Sequence, residues 1–196
     1  MTFYERGKKE RHSHIWQRDQ HDWYIEPEWT SARLFKEVVF RGPVYDPACG
    51  SGRIVKAARE AGYQADGSDI VRRSEFCNFE DDFLARPMGS FRPGAIVTNP
   101  PFKHARPFVE HALKVALHDV AMILPLTWIC GQARSTWLET TPLRKILVMT
   151  PRPSMPSGEA IAAGVVPGGG TGDFAWYIWS HGHEGPWTGG WLRRDG

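Results

Sequence analysis

The chain has 196 residues, 41% of them hydrophobic and 23% charged, with a net charge of +2. That balance fits one globular domain and excludes bulk disorder, and no apolar run approaches the length of a membrane span. The charge is compatible with nucleic acid as a partner without arguing for it. Cys49, Cys77 and Cys130 are widely spaced and form no Cys-x-x-Cys pair, which points to a reducing, cytoplasmic setting and away from structural zinc. The polar start, Thr2 to Arg6, does not read as a signal peptide.

Residues 1–20 form a basic arm in which Arg6, Lys8, Lys9, Arg11 and Arg18 outnumber Glu5, Glu10 and Asp19. A phosphate-contacting arm and a solvated terminus both suit this composition. Residues 21–196 are expected to be one domain. Trp23-Tyr24-Ile25-Glu26-Pro27 leads into a helix with Pro27 in its first turn and Ala32, Phe35 and Val39 facing inward. The two aromatics ahead of it could wall a pocket. A short strand, Val44-Tyr45, then ends in Asp46-Pro47-Ala48-Cys49-Gly50-Ser51-Gly52. A helix follows with Ile54, Val55, Ala58 and Ala61 on one side, closed by Gly62.

Strand, glycine turn and helix make the front of a nucleotide-binding βαβ unit, and glycine permits positive φ and close ligand approach. The next strand, residues 64–68, ends in Asp69, a carboxylate placed to hold ribose hydroxyls. A Walker loop would need four residues between its glycines and then Lys-Ser or Lys-Thr, which are missing. A dinucleotide fingerprint would want Gly or Ala where Val55 stands. S-adenosylmethionine, which has no phosphate, is the third candidate.

A third strand is expected over residues 76–79, followed by Glu80-Asp81-Asp82-Phe83. Asp82 could accept from an adenine amino group with Phe83 beside the ring, although three acids in a row also mark a solvated loop. Pro93-Gly94 turns the chain into a buried strand, residues 95–98. A helix to about residue 117 has Phe108, Ala112 and Val115/Ala116 inward. Further strands are expected at 120–124 and 143–149, with a helix between them at 131–140. Residues 150–172, rich in proline and glycine, read as a loop without core elements. A last strand covers 173–179, and a Gly/Trp tail runs from 181 to 196. Alternating strands and helices imply a mainly parallel sheet covered on both faces.

The fourth strand ends in Asn99-Pro100-Pro101-Phe102. Consecutive prolines stop the ladder and hold the backbone extended. The Asn99 side-chain carbonyl and the Pro100 carbonyl would then be two neutral acceptors suited to a planar NH2 group, with Phe102 as a stacking surface. A capping Asn before a proline turn is the plain alternative. What favours the first reading is that both this turn and the glycine loop close strands at the carboxyl edge, where open α/β sheets bind ligands.

On these residues the chain resembles class I S-adenosylmethionine-dependent methyltransferases, and more narrowly the small phage and prophage adenine-specific (amino-group) DNA methyltransferases. The resemblance implies a Rossmann-like α/β fold: a mainly parallel seven-stranded sheet, helices on both faces and an antiparallel last strand. It implies S-adenosyl-L-methionine as cofactor, with Asp46, Pro47, Ala48, Gly50 and Gly52 around its methionine end. Asp69 would take the ribose and Asp82 and Phe83 the adenine, with Ile70 also among the cofactor-binding residues. Tyr24 and Pro27 belong to a segment similar to the family's extra cofactor motif, although Glu26 stands where threonine is more usual. Asn99, Pro100, Pro101 and Phe102 would be catalytic, Asn99 also bordering the cofactor.

Phe102, Lys103, His104 and Arg152 would meet a substrate, expected to be DNA methylated at the N6 amino group of adenine. RNA adenine, a protein glutamine amide, or nucleic-acid binding without catalysis are the alternatives. No separate target-recognition domain is expected, nor a membrane or metal partner, and the protein should be a monomer or weak dimer. His181-Gly182-His183 lacks a third ligand at useful spacing and reads as a surface turn. Cys49 reads as a small pocket-lining residue, not a nucleophile.

Overall fold

The computed structural model describes residues 23–87, 91–170 and 172–195; the basic arm expected over residues 1–20, with Lys8, Lys9 and Arg11, lies outside them. In chain order the elements are α1 (Glu28–Glu37), β1 (Val44–Asp46), α2 (Arg53–Glu60), β2 (Ala65–Asp69), β3 (Cys77–Glu80) and β4 (Ala95–Thr98). There follow α3 (Ala105–Val115), β5 (Asp119–Pro125), α4 (Gln132–Leu138), β6 (Leu143–Thr150), α5 (Gly158–Ala162), β7 (Phe174–Ser180) and β8 (Thr188–Arg193).

The strands form one eight-stranded sheet in the order β3-β2-β1-β4-β5-β7-β6-β8. Every neighbouring pair is parallel except those made by β7, which runs antiparallel to β5 and β6. The strand order reverses at β1 and β4, which lie side by side. That switch point is where loops from adjacent strands diverge and leave a crevice at the carboxyl edge.

The sheet has an apolar face on each side. Ala95 and Val97 of β4 belong to one cluster and Ile96 to the other, as the two-residue period of a strand demands. On the first side α1 and α2 supply Leu34, Phe35, Ile54, Val55 and Ala58. On the second, α3 and α4 supply Phe108, Val109, Ala112 and Leu138. Burying both faces explains why β4 and β5 read as continuous apolar runs.

Four expectations need correction. The sheet has eight strands, not seven, because the Gly/Trp tail forms β8, parallel to β6 from Lys145↔Thr188 to Thr150↔Arg193. Leu192 is fully buried there, and pairing satisfies the outer edge of β6; Gly189 and Gly190 lack the side chains that would have signalled a strand. The antiparallel strand is β7, as expected, inserted between β5 and β6.

In α1 the inward residues are Thr30, Ser31, Leu34 and Phe35; Ala32 is half-buried and Val39, beyond the helix end, is exposed. The indole N–H of Trp176 donates to the Thr30 carbonyl at 3.1 Å, which draws the polar first turn against the sheet. In α2, Ala57 is buried in place of Ala61. Gly62 (φ 91°) does end that helix, with its N–H on the Arg59 carbonyl and the Tyr63 N–H on that of Ala58.

The fourth correction concerns residues 150–172. Met155, Ser157 and Gly158 are buried, and α5 starts here, with Ser157 Oγ accepting from the Ala160 N–H at 3.2 Å. Tyr24 bridges Ser157, the Ile25 N–H donates to the Pro156 carbonyl (2.9 Å), and the Gly158 N–H donates to the Trp23 carbonyl (3.0 Å). The two irregular segments complete each other's backbone hydrogen bonding, so neither needed a periodic pattern.

Candidate functional site

A cleft of about 380 Å³ opens at the carboxyl edge of the sheet. That volume is in the range of small-molecule sites. Its floor is the loop after β1 and the tip of β2, and its far side is the turn after β4. The segment ahead of α1, Trp23 to Glu26, forms a wall.

The glycine loop is built as its sequence suggested. Gly50 (φ 47°) and Gly52 (φ 81°) have left-handed backbone, which disfavours any side chain there. Packing forbids one as well: a Cβ on Gly50 would stand 2.8 Å from the Trp23 indole nitrogen, and one on Gly52 2.5 Å from the Phe76 ring. Asp46, Pro47, Ala48 and Gly50 border the cleft, whereas Gly52 sits behind them as the N-cap of α2. Pro27 likewise stands back from the cleft, as the N-cap of α1.

Three carboxyl side chains converge here. Asp69, 6% exposed, accepts from the Gly50 N–H (2.8 Å), the Val71 N–H (3.1 Å) and Arg73 Nη1 (2.7 Å). Asp46 is fully inside and accepts from the Ala48 N–H at 3.1 Å. Burial pushes its carboxyl well above the ordinary carboxylate range, and the negative charges of Glu26 and Asp69 push the same way. Glu26 is also raised by burial, against the hydrogen bonds it receives and the nearby Arg53. A cleft with these acids favours a ligand that brings positive charge to them.

Asn99 sits at the end of β4 with its amide held from one side. Its Nδ2 donates to the Tyr24 carbonyl at 3.0 Å and to Glu26 Oε2 at 3.0 Å. Both partners are acceptors, so the amide can face only one way. Its Oδ1 is buried and has no hydrogen-bond partner among the described residues. Pro101 borders the cleft beside it, and the His104 N–H closes the turn on the Pro101 carbonyl at 2.9 Å. Pro100 is buried and is not part of the cleft lining.

The other expected residues divide. Tyr24, Ile70, Asp82, Phe83, Lys103 and His104 border the cleft. Asp82 folds back on the chain, accepting from the Leu84 N–H at 3.0 Å, and Phe83 is a core residue packed on Phe108 and His111. Phe102 lies outside the lining: its half-buried ring is parallel to Tyr24 (6.0 Å, 8°) and tilted against Phe174 (5.6 Å, 33°). Arg152 is also outside, in an exposed ion pair with Asp173 at 2.7 Å.

Cys49 does border the cleft, and burial pushes its thiol far up, which suits a lining residue and opposes a nucleophilic one. Among the described residues no group of three His, Cys, Asp or Glu could hold a metal ion, and no helix is long and apolar enough to cross a membrane.

Trp23 borders the cleft as one of the two aromatics expected to wall a pocket, Glu26 borders it from the segment similar to the extra cofactor motif, and Arg73 borders it although no motif assigned it a place. Arg73 lies over the Trp23 ring at 4.6 Å while holding Asp69, and the Trp23 ring packs so closely on Gly158 that a Cβ there would overlap it. Glu26 was marked only as a departure from threonine, because its partner Asn99 is 73 positions away.

No family model matches the chain, and no curated protein matches it. Solved structures do. A 23S rRNA methyltransferase, ErmE, superposes with a TM-score of 0.54 at 14% identity, covering 83% of this chain and 72% of its own. The magnesium protoporphyrin IX methyltransferase ChlM from Synechocystis PCC 6803, solved with bound SAM, gives 0.52 at 11%, covering 78% of each. The M protein of the type I restriction enzyme EcoKI gives 0.53 at 12%, covering 83% of this chain and 44% of its own. The chain therefore has the Rossmann-like class I fold of S-adenosylmethionine-dependent methyltransferases.

Proposed function

We propose that this chain is a methyltransferase that uses S-adenosyl-L-methionine to methylate the exocyclic N6 amino group of adenine in DNA. The observation that carries the reading is the Asn99 amide, fixed by Tyr24 and Glu26 with its buried Oδ1 left over as an acceptor beside the Pro100-Pro101 turn. A planar NH2 group is the donor such an acceptor suits, since it offers two hydrogens in one plane.

The residues present fit the cofactor. Gly50 borders the cleft without a side chain, Asp69 keeps acceptor capacity on Oδ2, which takes only the Gly50 N–H, and Asp46 and Glu26 supply acid near a positive ligand. When bound, the cofactor supplies an electrophilic methyl group on a positively charged sulfur. Asn99 Oδ1 orients the amino group of the target, and its hydrogen bond strengthens as that nitrogen gains positive charge. Asn99 is neutral, so it needs no proton and competes for none. The target atom is shielded in a stacked duplex, so the base has to leave the stack or come from a single strand. Phe102, Tyr24 and Phe174 form an aromatic row beside the turn, and Lys103 and His104 stand at the rim for a phosphate.

The test is transfer of tritiated methyl groups offered in parallel to duplex DNA, single-stranded DNA, ribosomal RNA and a protein extract, followed by nucleoside mass spectrometry. Label in N6-methyladenine from DNA is expected. Label confined to RNA adenine or methylglutamine would overturn the substrate while leaving cofactor and fold in place. Calorimetry showing no heat with S-adenosylmethionine or S-adenosylhomocysteine, but binding of NAD or ATP, would overturn the whole reading.

A further inference from the structure

We propose that Glu26 is a positioning residue: its carboxylate orients the Asn99 amide and, by its charge, strengthens Oδ1 as an acceptor for the target amine. The inference rests on the methyl-transfer reading. It starts from how little else the Glu26 side chain does. Pro27, not Glu26, is the N-cap of α1, and no side chain caps that helix. Arg53 Nη1 donates to the Glu26 backbone carbonyl at 2.6 Å and so fixes the segment without taking the carboxylate. The carboxylate, on a residue only 6% exposed, accepts from Asn99 Nδ2.

A neutral acceptor would hold the amide with less desolvation, because burying a carboxylate is costly unless it is well paired. What the charge adds is strength and polarisation. A hydrogen bond to an ionised acceptor is about twice as strong as a neutral one, and bonds in series reinforce each other in a low-dielectric site. Pulling on the Nδ2 hydrogens shifts electron density towards Oδ1, the atom without a partner among the described residues. The Tyr24 carbonyl takes one Nδ2 hydrogen; Glu26 takes the other, so neither is left to face an incoming amine.

The charged and titratable groups around Glu26 are Arg53 on α2 and Asp46 at the end of β1. Burial raises the Glu26 carboxyl, so its ionisation should appear as an acid limb in turnover above the ordinary glutamate range. Asp46 is raised too, so Asp46→Asn serves as the control for that limb.

The experiment compares wild type, Glu26→Gln and Glu26→Leu on the full chain. Glu26→Gln keeps an acceptor for Asn99 but removes the charge. It should bind S-adenosylmethionine within about 3-fold of wild type while kcat falls roughly 10-fold, the scale separating charged from neutral hydrogen bonds. Its acid limb should flatten, and that of Asp46→Asn should remain. Glu26→Leu, if folded by circular dichroism, should lose more. An activity-independent arm follows the Asn99 side-chain NH2 signals by ¹⁵N NMR: they should titrate with Glu26 in wild type and stay flat in Glu26→Gln. Wild-type kcat with an unchanged acid limb in Glu26→Gln, or Asn99 signals indifferent to the substitution, would overturn the role. A coupled Asn99 titration without adenine methylation would instead put the failure on the substrate reading.

Discussion

The two edges of the sheet treat buried acids in opposite ways. At the amino edge, Asp119 opens β5 and is surrounded by donors: the Arg41 N–H (3.1 Å), Arg41 Nε (3.1 Å) and Nη2 (2.9 Å), and Ser180 Oγ (2.7 Å). Burial works to raise its carboxyl, but these donors outweigh it and hold the group below the ordinary range. At the carboxyl edge, burial wins at both Asp46 and Glu26. Asp119 ties the loop before β1 and the end of β7 to β5, and the fold is more stable for it. Asp46 and Glu26 are held where their charge costs stability, and such groups in a cleft are where function is to be sought.

The comparison breaks most sharply at Asn99. If the carboxyl edge is built for chemistry, Asn99→Ala should retain S-adenosylmethionine binding and lose roughly 10²-fold or more in turnover, the scale for removing a positioned transition-state partner. Single-turnover methyl transfer alongside calorimetry measures both. Equal rates for wild type and variant would make the turn after β4 a structural feature only.

A step smaller are the acids themselves. Asp69→Ala should weaken S-adenosylmethionine by roughly 10-fold or more, the order of losing a charge-assisted hydrogen bond. Asp46→Asn should separate binding from stability. Its folded carboxyl is raised above the unfolded value of 3.8, so the native state holds the proton longer and stability falls as pH climbs past that value. The asparagine variant loses that slope. It should melt at or above wild type at pH 8 yet bind the cofactor less well, and a lower melting temperature at pH 8 would count against the assignment.

Asp119→Ala should do the reverse and leave the cleft intact. Its carboxyl is lowered, so its stabilisation is present above 3.8 and disappears as pH falls through the folded value. We expect a loss of roughly 1–2 kcal/mol at pH 7, reduced from a fully buried pair because Arg41 is half exposed. Urea melts at pH 7 and pH 3 check it: the deficit should shrink at the lower pH, and cofactor affinity should not move at either.

Much of this was legible because it was local. The loop from Asp46 to Gly52 and the turn from Asn99 to Phe102 each encode their backbone within a few residues, through glycine at positive φ and proline after a strand. The strands of the centre announce themselves by apolar runs buried on both faces. What stayed hidden depends on partners distant in sequence. Glu26 acquires its meaning from Asn99, and β8 from the open side of β6. Pro153 to Gly158 acquires its burial from Trp23 and Tyr24, which use its backbone groups as a strand neighbour would. The aromatic row around Phe102 was missed for the same reason, since Tyr24 and Phe174 lie 78 and 72 positions from it.

The smallest expected effect belongs to Arg152, and it tests whether the functional edge extends beyond the cleft. Its pair with Asp173 is exposed on both sides, at 60% and 50%. Such pairs contribute about 0–1 kcal/mol because water and salt screen them, so Arg152→Ala should barely move the melting temperature. The chain around it is nonetheless organised: a Cβ on Gly170 would overlap the carbonyls of Arg152 and Pro153, so the glycine-rich segment lies directly on this stretch. If that surface meets a polynucleotide, Arg152 exchanges Asp173 for a phosphate at little cost, since an exposed pair has little to lose. DNA affinity should then fall a few-fold for every sequence alike, and the slope of log affinity against log salt should decrease by about 1. Asp173→Asn should push the other way, releasing the arginine and removing a negative charge from the same surface. An unchanged salt slope in both variants would confine the functional edge to the cleft and leave this pair as surface decoration.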